Sequence, residues 1–160
     1  LGITVLYIPD ELNHDNSVTL EQAQYLLKKH GLTKVDCISM HGSFLYQIAG
    51  ILTRPHHLEQ PWMDLVRFFI NIGHVHGHST YKDVILVTGS TNRTCHNEER
   101  AKGGIVTTIN IKTGEKSWKF IENIYATIFK TLDVRGKGIE EISELIDALT
   151  YLMVVTYAYY

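Results

Sequence analysis

Four short apolar runs, separated by polar loops, form the clearest pattern along the chain. They occupy residues 3–8, 35–40, 68–72 and 84–87, and Ile and Val recur in them. Runs of this length and composition are typical of buried strands. A helical pattern lies between the first two runs, so the order strand, helix, strand predicts a βαβ unit with parallel strands and a right-handed crossover. Residues 61–67 predict a short helix before the third run, with proline at its first position.

The helix between the first two runs carries both start and stop signals. Thr19 is the predicted N-cap, and Gln22 closes a capping box. Lys28 and Lys29 suit the last turn, and Gly31 suits the position just after it. The predicted inner face consists of Leu20, Ala23, Leu26 and Leu27.

The second half of the chain has a different pattern. Residues 105–111 and 118–121 predict two strands, and residues 112–115 predict a hairpin turn between them. Residues 127–134 predict another strand. Residues 135–138 predict a linker, after which apolar positions at helical spacing predict an amphipathic helix. The whole pattern predicts an α/β fold.

A histidine-rich loop follows the third apolar run. His74, His76 and His78 occupy alternate positions between two flanking glycines, Gly73 and Gly77. If the strand pitch continues, the three imidazoles face the same way, because side chains in a strand alternate with a period of two. Neutral imidazole is the commonest metal ligand, so the loop indicates a metal site. The alternative is a solvated loop that is merely rich in histidine.

Two further polar loops strengthen the metal hypothesis, because each of them also follows a predicted strand. Asn13 and His14 come after the first strand, and His41 comes at the end of the second. Sites in open α/β sheets form at the carboxyl ends of the strands. We therefore expect these side chains to meet the histidine-rich loop at one edge of the sheet.

The net charge and the cysteine content of the chain limit which partners and which cellular compartment the sequence supports. A net charge of −2 gives no overall signature of nucleic-acid binding, so any DNA contact must come from a local patch. Arg93, Arg100 and Lys102 form such a patch, although a solvated turn is the alternative. Cys37 and Cys95 have no metal or redox spacing, which favours a reduced, cytoplasmic setting. No apolar run has the length of a membrane span, so no membrane partner is expected.

The ordered motifs resemble a known family. Asn13-His14-Asp15, then His41-Gly42, then Gly73-His74-Val75-His76 are similar to the later motifs of calcineurin-like metallophosphoesterases. Residues 87–93, 96–99 and 102–104 resemble a narrower branch, the SbcD-type DNA repair exonucleases, including phage members. The resemblance covers roughly residues 3–147.

The resemblance implies a role for each matching residue. Asn13 would be a metal ligand that also touches the phosphate, and His14 would protonate the leaving oxygen or stabilise its charge. His41 and His74 would bind one metal, and His76 the other. The implied chemistry is in-line attack on phosphorus by a metal-activated hydroxide, with two Mn²⁺ as cofactors.

The family's Asp-x-His and Gly-Asp motifs, which supply further ligands, have no counterpart in this chain. We therefore expect an α/β metallophosphoesterase-like sandwich that lacks its N-terminal strands. Residues 1–134 would be the C-terminal part of that domain, and residues 135–160 would be a linker and helix that open a following region. Such a chain would be an incomplete fragment of an enzyme with weak activity or none.

The resemblance also implies partners, namely DNA and an SMC-like ATPase with a long coiled coil. An uncovered sheet edge would pair with a second copy of the chain, so a homodimer is a further hypothesis. Two other functions stay open: a metallophosphoesterase that acts on small phosphodiesters or phosphoproteins, and a non-catalytic remnant that binds DNA or a partner. We expect His78 to be a loop residue rather than a ligand, and His56 and His57 to lie on the surface.

Overall fold

The first two predicted strands pair in parallel and flank a helix, which confirms the predicted βαβ unit. The computed structural model describes residues 2–9, 16–48, 56–94, 98–148 and 153–155. In chain order the elements are β1 (Val5–Ile8), α1 (Asn16–Lys29), β2 (Val35–Gly42), a 3₁₀ turn (Leu45–Ile48), α2 (Glu59–Met63), β3 (Val66–His74), β4 (Ser79–Tyr81), β5 (Ile85–Val87), β6 (Gly103–Ile109), β7 (Lys116–Glu122), β8 (Phe129–Thr131), α3 (Ile139–Asp147) and β9 (Met153–Val155).

A five-stranded, mostly parallel sheet is the centre of this mixed α/β structure. Its strand order is β1-β2-β3-β5-β4, and β4 alone runs antiparallel to its neighbour. The inner strands are apolar on both faces because both faces are covered. On one face, Ala23 and Leu27 of α1 join Ile38 and Ile70 in a single buried cluster.

The β6–β7 hairpin covers the other face of the sheet. Its two strands pair antiparallel through the predicted turn, so the hairpin prediction is confirmed. Trp118 packs against the cluster that contains Phe69, and its indole N–H donates to Asp83 Oδ1 at 3.2 Å. Lys116 Nζ donates to the carbonyl oxygen of Phe68 at 2.7 Å. These contacts fasten the hairpin to the first half of β3 and to the turn before β5.

Helix α1 differs from its prediction at the start and agrees with it at the end. The helix begins at Asn16, so the prediction of Thr19 as N-cap is wrong. Thr19 lies inside the helix and is buried, one turn before Ala23 on the same face. Gly31 adopts the left-handed conformation, with φ of +67°, and the N–H of Leu32 reaches back to the Leu27 carbonyl at 2.9 Å. This is the glycine-terminated end that the sequence predicted.

The remaining helices also differ in part from the sequence pattern. Helix α2 begins two residues before Pro61, which therefore is not its first residue, and it ends before the residues that open β3. Helix α3 forms where predicted over Ile139–Asp147, and the last predicted apolar positions, Leu149 and Leu152, lie outside the described residues. The Glu141 carboxylate accepts the N–H of Gly138 at 3.1 Å, as in a capping box. None of the helices within the described ranges is long and apolar enough to cross a membrane.

Burial of α1 makes a matched test of this packing possible. Leu27 is 4% exposed and Leu26 is 41% exposed, although both belong to the predicted inner face. We expect Leu27→Ala to lower the free energy of unfolding by about 2–5 kcal/mol, because it removes buried methyl groups and leaves a cavity. Leu26→Ala should cost about 0.5 kcal/mol or less. Urea denaturation followed by circular dichroism measures both, and equal losses would contradict this packing.

Candidate metal centre

The carboxyl ends of β2 and β3 lie side by side and bring two of the predicted ligands together. In the register of these parallel strands, His41 lies opposite Gly73, and Gly42 lies opposite His74. Glycine at position 73 leaves space beside the His41 ring, since a Cβ built there would lie 3.7 Å from His41 Nδ1. His41 and His74 are therefore one position out of phase on neighbouring strands.

The two imidazoles meet at the edge of the sheet. His41 Nε2 lies 3.1 Å from His74 Nδ1, and the rings are nearly perpendicular with centroids 5.1 Å apart. Two nitrogens that each lie about 2.1 Å from one cation are about 3 Å apart when they occupy neighbouring positions around it. The two rings are within hydrogen-bond distance of each other, and the same spacing fits two neighbouring ligands of an octahedral metal ion.

The backbone at this edge is strained at His74. This residue has φ of +123°, a conformation that residues with a side chain rarely adopt, and its strand partner Gly42 has φ of +143°. Such a conformation costs about 1–3 kcal/mol and is typical of functional sites. It also ends β3, because the chain turns away from the sheet after His74.

His76 lies beyond this turn and contacts a carboxylate instead of the other histidines. Its Nδ1 lies 2.5 Å from Glu98 Oε1. Glu98 also accepts the backbone N–H of Thr94 at 2.9 Å and pairs with Lys102 at 3.2 Å. Burial by itself raises the pKa of the Glu98 carboxyl, but the bonds from Thr94, His76 and Lys102 outweigh it and lower the pKa to about 2.

Lys102 and Arg93, two of the predicted phosphate contacts, are occupied by the protein itself. The Lys102 side chain is 2% exposed, and its ammonium group also bonds to the His76 carbonyl at 3.0 Å and to Ser90 Oγ at 2.9 Å. The Arg93 guanidinium is bonded at 2.7–3.4 Å to the backbone carbonyl groups of Glu98, Glu99, Arg100, Ala126 and Thr127. These bonds use the N–H donors of both side chains, so the structure does not support their predicted contact with a ligand phosphate.

Arg100, the third predicted phosphate contact, is exposed and lies beside the histidine-rich loop. Its Nη1 is 3.8 Å from the position that a Cβ would take at Gly77. Of the three basic residues, Arg100 is therefore the one placed to meet an anion at this edge.

The prediction that the three loop histidines face the same way is wrong. Strand β3 ends at His74, so strand alternation does not extend to His76 and His78. His78 stacks on Phe120 of the hairpin at 4.3 Å between ring centroids, and its Nδ1 lies 2.8 Å from the Val87 carbonyl oxygen. This packing agrees with the expectation that His78 is a loop residue rather than a ligand.

The surface prediction for His57 is also wrong. The residue is 5% exposed, and its ring packs edge-on against Trp62 at 5.3 Å between centroids. A β-bridge between Phe44 and His57 draws this segment under the end of β2. The neighbouring His56 is partly exposed, and its Nδ1 lies 2.9 Å from Ser43 Oγ.

Asn13 and His14 lie outside the described residues, so the structure does not test their predicted positions. Within the ranges that it does describe, no group of three or more His, Cys, Asp or Glu side chains is close enough to hold a metal ion. These ranges contain two separate groups, namely His41 with His74, and His76 with the carboxylate of Glu98. Sequence reasoning placed Glu98 in a motif but gave it no role, since a pairing 22 residues apart leaves no local signal.

A scan against models of known protein families found no match to this chain, and a search of curated proteins found no similar protein.

Gly89 holds the histidine-rich loop in place and allows a sharp test. It has φ of +77°, and a Cβ there would lie 2.9 Å from both the His76 carbonyl oxygen and the His78 backbone nitrogen. We expect Gly89→Ala to destabilise the protein and to shift the imidazole NMR signals of His76 and His78.

Gly114→Ala is the matched control for Gly89→Ala. Gly114 also has φ of +77°, but its Cβ would meet nothing within 4 Å. Both variants should lose about 1–2 kcal/mol through backbone strain. Only Gly89→Ala should lose a further 1–3 kcal/mol, approximately, through overpacking against the loop. Equal stabilities and unchanged histidine signals in both variants would contradict the role of Gly89.

Proposed function

We propose that this chain is, or is part of, a metal-dependent phosphodiesterase of DNA repair or recombination, similar to SbcD-type exonucleases. The proposed fold is the corresponding metallophosphoesterase-like sandwich without its N-terminal strands. The observation that carries the proposal is the 3.1 Å approach of His41 Nε2 and His74 Nδ1 at the carboxyl edge of a parallel sheet. This edge is where open α/β sheets bind their ligands.

Three features favour a ligand role for this pair over ordinary packing. His74 is exposed and His41 is half-buried, so neither ring is part of the buried core. The pair joins two strands through residues 33 positions apart. His74 also retains a strained backbone, which ordinary packing would not require.

Manganese is proposed from the resemblance; it favours oxygen ligands, which Asn13 would supply, whereas imidazole also suits zinc, iron and nickel. His41 and His74 would hold one ion, and His76 the other, with Asn13 as a further ligand by resemblance. When bound, the two ions would acidify water and neutralise charge on the attacking and leaving oxygens. His14 would supply the proton to the leaving oxygen, again by resemblance. Arg100 would offset the negative charge of the substrate phosphate.

The proposed partners follow from the family resemblance and from the charge and exposed edge of the chain. DNA would contact a local basic residue such as Arg100, because the net charge of −2 gives the chain no general attraction to DNA. An SMC-like ATPase is proposed from the resemblance alone. Edge strand β1 supports a homodimer, since Val5 and Tyr7 are 55% and 69% exposed on it. A cytoplasmic location is supported by Cys37, which is a buried free thiol.

Mn²⁺ binding tests the proposed site. We expect calorimetry to detect binding to the 160-residue chain and to lose it in a variant that combines His74→Ala and His76→Ala. His30→Ala is the control, because His30 lies exposed after α1 and should leave binding unchanged. Absence of binding to the unchanged chain would overturn the proposal and would favour a non-catalytic module that binds DNA or a partner.

DNA binding tests the role of Arg100. We expect Arg100→Ala to weaken binding of a short duplex at all sequences and to reduce the slope of log K against log salt concentration by about one, since one phosphate contact is lost. Lys112→Ala removes an equal charge from the exposed hairpin turn and should leave the slope unchanged. Equal slopes for the unchanged chain and Arg100→Ala would contradict the contact.

A further inference from the structure

The proposed function does not explain the most distinctive contact of the molecule, in which the Glu98 carboxylate bonds to the His76 ring. We infer that Glu98 is a positioning residue. It holds the His76 ring so that Nδ1 is protonated and Nε2 is unprotonated and available to coordinate a metal ion. This inference rests on the proposed function only where it names the metal. The orientation of the ring is a separate statement about the chain itself.

The hydrogen-bond chemistry of the pair determines which nitrogen carries the proton. An ionised carboxylate only accepts hydrogen bonds, and Glu98 Oε1 lies 2.5 Å from His76 Nδ1. The proton of a neutral His76 ring therefore sits on Nδ1, and Nε2 keeps its lone pair. The His76 side chain is 54% exposed, which leaves the rest of the ring accessible. A bare, accessible nitrogen is the form in which histidine binds metals.

Glu98 is itself bonded to other groups of the protein, which distinguishes the His76–Glu98 pair from an ordinary exposed ion pair. Exposed ion pairs are mobile and weak. The Glu98 side chain, however, is 12% exposed and is fixed by the buried ammonium of Lys102 and by the backbone N–H of Thr94. Lys102 also bonds to the backbone carbonyl of His76. One buried cation therefore holds both the histidine backbone and the carboxylate that orients its ring.

The same arrangement has a known effect in metal sites. A carboxylate that accepts the second ring N–H of a histidine ligand fixes the tautomer and raises ligand basicity, and its loss lowers metal affinity by about 10–100-fold. Glu99 is the matched control, because it is the neighbouring residue with the same charge and an exposed side chain.

The first test reads the tautomer without any metal. Long-range ¹H–¹⁵N correlation spectra of the metal-free chain at about pH 8.5 distinguish the two ring nitrogens of a neutral imidazole. The His76 signals are assigned by their loss in His76→Asn. We expect protonated Nδ1 in the unchanged chain and in Glu99→Ala. In Glu98→Gln the amide oxygen accepts the bonds from the Thr94 N–H and from Lys102, so its NH₂ group faces His76 Nδ1 and favours protonated Nε2. Glu98→Ala should shift toward protonated Nε2.

The second test measures Mn²⁺ affinity of the same variants. We expect about a 10–100-fold loss in Glu98→Ala, a loss of the same order in Glu98→Gln and no change in Glu99→Ala. Protonated Nε2 in the unchanged chain would overturn the inference, and so would an unaltered tautomer in a folded Glu98→Ala. If Glu98→Ala does not fold, the unchanged chain and Glu98→Gln still decide the tautomer. Protonated Nδ1 together with no Mn²⁺ binding would support the ring orientation and overturn the proposed function instead.

Discussion

The parallel pairing of β2 with β3 is the constraint on which the rest of the candidate site depends. Its register brings His41 beside Gly73 and Gly42 beside His74, so both imidazoles leave the sheet at the same edge. His41 and His74 are one position out of phase in this register, so strand alternation alone would send their rings to opposite faces. The rings meet where regular strand geometry ends, with φ of +143° at Gly42 and +123° at His74. The register is supported by burial on both faces, since the paired Ile38 and Ile70 are buried in the cluster on one face and the paired Cys37 and Phe69 in the cluster on the other.

A second constraint holds the loop beyond this edge. The buried Lys102 ammonium bonds to His76, Ser90 and Glu98, and so joins two loops that follow different strands. Leaving a buried cation unpaired would be costly, so these bonds are strongly favoured together. The absence of a side chain at Gly89 lets the second loop pack directly on the backbone of the first. The position of His76 thus depends on packing and on a buried charge, whereas His74 depends on the sheet.

The β6–β7 hairpin connects these two constraints. It covers the second face of the sheet, where Trp118 packs on the cluster around Phe69. The ring of Phe120 stacks on His78 and takes this third histidine out of the candidate site. The hairpin therefore separates the loop histidines into two that lie at the open edge and one that stabilises the structure.

The sequence by itself determined the βαβ unit, the hairpin and the positions of His41 and His74 at strand ends, because strand periodicity, a glycine-terminated helix and a turn motif are local signals. Tertiary structure decided the directions of His76 and His78, the burial of Lys102 and the role of Glu98. These features depend on pairs between residues far apart in the chain, such as His76 with Glu98, 22 positions apart. Local propensity carries no information about such contacts, since burial and charge pairing arise only when separate elements pack together.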